Sequence, residues 1–259
     1  MIAAFLAAAT PAEPTNAWQW LTDSSTREIS HSIPHNLWLT IEHAGAGSLI
    51  AIAIAVPLAL VLAHYGKAEI LSSWIVNLGR VIPTIAVLGV FVVASLRNGY
   101  GFAPWPIIFA LALLALPPVF ANTYTAVRQV PVDAVSAARA MGLSERQIMT
   151  DVELPLALPL IMAGIRVAVT QVVATEALGA LFGSEGLGIY ISYGLSVSDL
   201  YQIQGGAILV AGTALAADIV LGVTARAFVP RGLRATRTTE AKPSRRRAPH
   251  TATPPQIRV

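Results

Sequence analysis

The sequence contains no cysteine. Disulfides, thiol nucleophiles and thiolate zinc sites are therefore excluded. Charge is scarce as well: Asp, Glu, Lys and Arg together make up 12% of the 259 residues, against about 25% in an average soluble domain. No Gly-x4-Gly-Lys-[Ser/Thr] phosphate-binding loop occurs, so the chain carries no ATP-hydrolysing site of that kind. The five histidines, His31, His35, His43, His64 and His250, never fall at the spacing that sets two metal ligands on one helix face, and no metal site and no catalytic residue is expected. There is no internal repeat of the kind that marks an inverted-repeat secondary transporter. No acid–base pair or metal set sits at a fixed helical spacing, which disfavours an intramembrane enzyme.

What is present is apolar. Hydrophobic residues make up 55% of the chain and its mean hydropathy is +0.64. Five stretches are long enough to cross a bilayer, which takes roughly 20 apolar residues. They run from about Asn36 to Leu62, Ile70 to Leu96, Trp105 to Tyr124, Leu156 to Phe182 and Ile203 to Phe228. The expected fold class is an all-α polytopic membrane protein of about five transmembrane helices. Pro117 and Pro118 are expected to bend or break the third. Residues 1–35 form an N-terminal segment expected to fray or lie on the surface, with Trp18, Trp20 and Trp38 suited to a membrane–water interface. Residues 36–229 form the membrane domain, and the Arg-rich tail 230–259 has no apolar periodicity and is expected to be disordered. Lys67, Arg128, Arg139, Arg146 and the tail fall on one side of the bilayer, against Arg27 and Arg97 on the other. This asymmetry predicts a cytoplasmic C-terminus and an outside N-terminus.

One polar stretch interrupts the apolar pattern, residues 129–155 between the third and fourth spans. Asp133 is placed to cap an Ala-rich helix, and Gly142 to stop it in a left-handed turn. Ser144-Glu145-Arg146-Gln147 has the pattern of a capping box that opens a second short helix. Ile148, Met149 and Val152 lie on one side of that helix. Pro155 is expected to end it and return the chain to the membrane.

Ser136-Ala137-Ala138, Gly142 and Val152-x-Leu154-Pro155 resemble the EAA signature of bacterial ABC-importer permeases at every interval, with Ser136 in place of Glu and Val152 in place of Ile. The resemblance covers about Leu37 to Phe228 and implies the type I ABC importer (MetI-like) permease fold in a bacterial inner membrane. It implies that a coupling helix at about Ser144 to Thr150 docks on an ATPase subunit, through Ala137, Ala138, Gly142, Ser144, Glu145, Arg146, Gln147, Ile148, Met149, Leu154 and Pro155. The partners it implies are a second permease subunit, two ATP-binding subunits that carry ATP and Mg, an extracytoplasmic solute-binding protein and membrane lipid. This chain would hold no cofactor and no nucleic acid.

Arg80-Val-Ile-Pro-Thr-Ile-Ala86, Leu116-Pro-Pro-Val-Phe-Ala-Asn-Thr-Tyr-Thr125, Gln171-Val-Val-Ala-Thr175 and Gly186-Leu-Gly-x-Tyr-Ile191 are similar to the glycine betaine/carnitine/choline permeases, although such phrases also fit methionine or sulfonate permeases. Polar residues inside the spans are candidates for the translocation path, because a buried charge in a bilayer needs water or a partner. The candidates are Arg80, Pro83, Thr84, Gln171, Thr175 and Glu176, with helix-to-helix pairs such as Arg80–Glu176 or Arg166–Asp218 as the competing reading. The Gly186 motif is a candidate contact for the binding protein. The aromatics, Trp74, Trp105, Tyr190 and Tyr193 among them, fit an interfacial belt better than a cage for a quaternary ammonium group.

Overall fold

A computed structural model describes residues 16–22, 32–66, 83–102 and 104–228. The expectations for Arg80, Trp74 and the basic tail lie outside the described residues. Among the described residues every regular element is helical. In chain order they are α1 (Ala17–Thr22), α2 (Ile33–His64), α3 (Thr84–Arg97), α4 (Trp105–Arg128), α5 (Val132–Ala140), α6 (Glu145–Gln147), a π-helical segment (Ile148–Glu153), α7 (Leu154–Glu176) with a 3-10 extension (Ala177–Phe182), α8 (Gly188–Val197) and α9 (Leu200–Phe228).

Four helical stretches are long and apolar enough to cross a membrane: Ile33–His64, Trp105–Arg128, Glu145–Phe182 and Leu200–Arg226. The 32 residues of α2 are about 48 Å long at 1.5 Å per residue. The second expected span differs from its sequence outline. It is not one helix through Pro83, because the backbone at Pro83 is extended (φ −66°, ψ 119°) and α3 starts after it. The 14 residues of α3 reach about 21 Å, short of a ~30 Å hydrocarbon core.

Between helices in a bilayer the hydrophobic effect contributes little, and close packing of small side chains holds them together. The broad α2–α4 contact follows this rule. A Cβ on Gly47 would lie 2.9 Å from Leu111 Cβ and 3.0 Å from the Ile108 carbonyl oxygen. Alanines 44, 51, 55, 59 and 63 line the same buried side of α2. Where α4 meets α7, Gly164 gives room to the Asn122 side chain, which also donates to the Pro118 carbonyl at 2.7 Å. Pro117 and Pro118 do not break α4, which runs unbroken through them.

The N-terminal segment is less superficial than the sequence predicts. Trp20 is fully buried, its ring edge-on to Tyr190 with centroids 5.4 Å apart. Gly205 on α9 makes this possible, since a Cβ there would collide with the indole. Trp18 and Trp38 stay exposed, as an interface would require. The stretch between the fourth and fifth expected spans holds a helix, α8, because Leu187 and Tyr190 find apolar partners in Trp20 and Val210. Tyr190 therefore belongs to the interior and not to an interfacial belt.

Candidate functional site

The polar stretch folds into two helices joined by one turn. α5 starts at Val132 with Pro131 at its N-cap, which leaves Asp133 in the first turn without a capping hydrogen bond. That corrects the cap expected from Asp133, although a carboxylate in a first turn still suits the helix dipole. At the far end Leu143 N donates to Ala138 O at 3.2 Å and Gly142 N to Arg139 O at 3.1 Å, a complete Schellman motif. Gly142 takes φ +85°, a left-handed value that a β-carbon would strain.

The capping box is present. Ser144 Oγ accepts from Gln147 N at 3.4 Å, and Ser144 N donates to Gln147 Oε1 at 2.9 Å. Ser144→Ala removes the first of these bonds. The expected loss is about 1 kcal/mol of local helix stability, measured as faster amide hydrogen exchange at Glu145 to Gln147.

The second helix does not stop at Pro155. It passes through the π segment into α7, so residues 145–182 form one continuous helical path. The reason lies in the registers. Leu154 N still donates five residues back, to Met149 O. Pro155, with no N–H to give, then falls in the first turn of α7, where the register changes and an amide is not needed.

The site residues divide by exposure. Ser144, Glu145, Arg146, Gln147, Thr150 and Asp151 are exposed, as are Ala137 and Gly142. Ala138 is buried, and Ile148 is 0% exposed. Met149 and Leu154 are half-buried against the cluster that includes Tyr124, Val127 and Val130. Ile148 therefore fixes the helix to its own chain and is not free to enter a partner's cleft. The surface that this second helix leaves for a partner is polar, around Arg146, whose guanidinium has no side-chain partner among the described residues.

Three residues outside the coupling candidates, His64, Glu153 and Arg139, complete this region. His64, the last residue of α2, sits 2.7 Å from Glu153 through Nδ1 and 3.2 Å from Glu145 through Nε2. Arg139 in turn holds Glu145 by two bonds of 2.8 Å. The Glu145 carboxylate raises the Arg139 guanidinium above its already high value, first by hydrogen bonding and then by charge. The only sign of this cluster in the sequence was polarity at a span's end.

The candidates for a path fall apart in space. Glu176 is 2% exposed and accepts from Thr40 Oγ1 at 2.9 Å, with His43 Nδ1 at 3.1 Å. Leu187 N donates to the same Thr40 hydroxyl at 2.9 Å. Glu176 is thus part of a buried clasp between α2, α7 and the turn before α8, with no open surface to line. Pro83 is exposed, and its carbonyl accepts from Ala86 N at 3.0 Å and Val87 N at 3.2 Å, which makes it a helix start. Thr84 follows it, half-buried, and the Thr175 hydroxyl donates to Gln171 O at 2.8 Å. Gln171 is exposed on one stripe of α7 with Ala163, Val167, Ala174 and Leu178. Gly179 serves packing, since a Cβ there would run into Ile107.

The Arg166–Asp218 pair forms. Arg166 Nε and Nη2 bind the two carboxylate oxygens, and the Thr170 hydroxyl lies 3.5 Å from Oδ1. The two side chains remain 42% and 28% exposed.

One other expectation changes. Leu187, Gly188 and Tyr190 of the Gly186 motif are buried, so most of the motif locks the fold and only Ile189 and Ile191 keep part of their surface. Trp105 joins Phe91, Tyr100 and Phe109 with ring centroids 6.0 to 6.5 Å apart. Rings in edge contact at that spacing already fill the space that a trimethylammonium group would need.

Comparison with known proteins agrees with this architecture. The family described as "Binding-protein-dependent transport system inner membrane component" matches residues 47–234. The choline transport system permease protein OpuBB of Bacillus subtilis is 35% identical over 201 residues, 76% of this chain and 90% of that protein. The glycine betaine/carnitine/choline transport system permease protein OpuCD of the same organism is 36% identical, over 71% of this chain and 79% of that one. The osmoprotectant import permease protein OsmW of Salmonella typhimurium is 31% identical, over 83% and 98%. Among solved structures, an inward-facing MetNI methionine ABC transporter superposes with a TM-score of 0.68 at 24% identity, over 76% of this chain and 96% of that one.

Proposed function

Since this chain belongs to the family of inner membrane components of binding-protein-dependent transport systems, we propose that it is the permease of an ATP-driven importer for osmoprotectants of the glycine betaine, carnitine and choline class. The family makes it a multi-pass ABC permease of the inner membrane, and the fold is that of a type I importer permease. The substrate class rests on one observation. Relatives 31% to 36% identical, aligned over 79% to 98% of their own lengths, are permeases for these solutes. The methionine transporter, at 24% identity, speaks for the fold alone.

In this reading residues 129–155 face the cytoplasm, and the exposed face from Ser144 to Asp151 seats on a separate ATPase. Two permease subunits enclose the path, and an extracytoplasmic binding protein selects the solute. The Gln171 stripe of α7 supports a path along that face, beside the half-exposed Arg166–Asp218 pair. That pair lies about 18 Å along the helix from Leu154. A charged pair at that depth, if left facing hydrocarbon, is costly, and it is tolerated against water or protein.

Reconstitution in liposomes with the ATPase and the binding protein tests this reading. Uptake of glycine betaine, choline or carnitine is expected only with ATP supplied to the ATPase, and methionine is expected to stay out. Uptake that proceeds without ATP, or that favours methionine, overturns it.

A further inference from the structure

The coupling region contains a feature that docking alone does not require. The helix that presents Ser144 to Asp151 is interrupted by the π segment Ile148–Glu153 before it becomes the membrane helix α7. A π turn holds one more residue than the α turn it replaces, and it can revert by shifting its register. It is therefore a compliant joint in a helix expected to carry a push or pull from the ATPase. One side chain spans that joint. His64 meets Glu145, which precedes the π segment, at 3.2 Å, and Glu153, its last residue, at 2.7 Å. The imidazole is 3% exposed and belongs to α2.

We propose that His64 is a positioning residue for ATP coupling, its ring clamping both ends of the π segment and so transmitting motion of the docking helix to α2 and α7 together. The proposal rests on the importer reading above. Reversion from π to α register would rotate Glu145 relative to Glu153 by about 100°, and one ring could no longer reach both carboxylates. Conversely, while both contacts hold, the joint cannot change register.

The charged groups around the ring are Glu145 and Glu153 themselves, Arg139 from α5 behind Glu145, and Arg128 from α4, whose guanidinium lies beside Gly66. The Tyr65 ring stands edge-on to the imidazole, with centroids 5.0 Å apart. Loss of either carboxylate contact therefore opens one end of the clamp and should weaken coupling.

The test uses the full complex in liposomes and measures solute taken up per ATP hydrolysed. His64→Gln is expected to lower the ratio roughly five-fold and to retain the ATPase on co-purification. Glu145→Gln alters an exposed side chain and preserves the fold. It leaves the ring a single carboxylate, and it too is expected to lower the ratio. Wild-type ratios in both variants would overturn the clamp while leaving the importer reading intact. A wild-type complex without ATP-driven uptake would overturn the importer reading, and the clamp with it.

Discussion

Replacing Gly188 with alanine is expected to abolish accumulation of the folded protein, although only one methyl group is added. A Cβ at this position would lie 2.6 Å from Ala177 Cα and 2.7 Å from its carbonyl carbon, with the carbonyl oxygen nearer still. These are backbone atoms of the 3-10 segment, so no rotamer change relieves the clash. Overpacking a well-filled interior costs about 1–3 kcal/mol when side chains can adjust, and here they cannot. The neighbouring turn is equally tight. Gly186 adopts φ +133°, and a Cβ there would come within 2.6 Å of Glu176 Oε1 and 3.0 Å of Thr40 Oγ1. Displacing α8 would therefore also open the buried Thr40–His43–Glu176 clasp, and an unpartnered buried carboxylate is strongly destabilising. The measurement is the yield of monodisperse protein in detergent, with its thermal unfolding. Gly45→Ala is the control. A methyl group added at that position would have nothing within 4 Å, and the substitution should shift stability by no more than ~0.5 kcal/mol. Normal yield and stability for Gly188→Ala would show that the α8 turn is not the rigid lock described here.

Reversing the charge at Arg146 is expected to have the largest effect on transport at no cost to the fold. Arg146 is exposed on the face proposed to dock and has no side-chain partner among the described residues, so Arg146→Glu breaks nothing within the chain. Against an ATPase surface complementary to that face, a like charge in place of an opposite one costs several kcal/mol of association. ATP-driven uptake should fall by roughly ten-fold or more, with normal yield and thermal stability. Two readouts check this: co-purification of the ATPase, and uptake in liposomes. Undiminished uptake would move the docking surface away from Arg146. Ile148→Asp would be a poor substitute for this experiment. Ile148 is fully buried, so a charge there would disrupt the helix's own seat before it reached any partner.

The two predictions draw on different kinds of information. The polar stretch could be read from the sequence because its determinants are local. Gly142 stops α5 since a left-handed residue must follow there, and Ser144 with Gln147 caps α6 within a span of four residues. The existence of α4, α7 and α9 followed from apolar length in the same way, although α4 runs on to Arg128 and α9 starts at Leu200. The start of α3 did not, because an apolar run looks alike on both sides of Pro83. The continuity of the helix through Pro155 did not either, since it depends on a π register set by hydrogen bonds and not by residue type.

Sequence alone determined that this chain crosses a membrane by helices, where its one polar hairpin lies and which transport family that hairpin resembles. Those properties depend on hydrophobicity, on caps and on spacing along the chain. Tertiary structure decided which polar residues meet. It joined Glu176 to Thr40 and His43, residues 136 and 133 positions away. It buried Trp20, Ile148 and the Gly186 motif, and it set His64 between Glu145 and Glu153 across the π segment. A carboxylate in an apolar span needs a partner, but nothing in its local sequence names that partner; only the packing of α2 against α7 does.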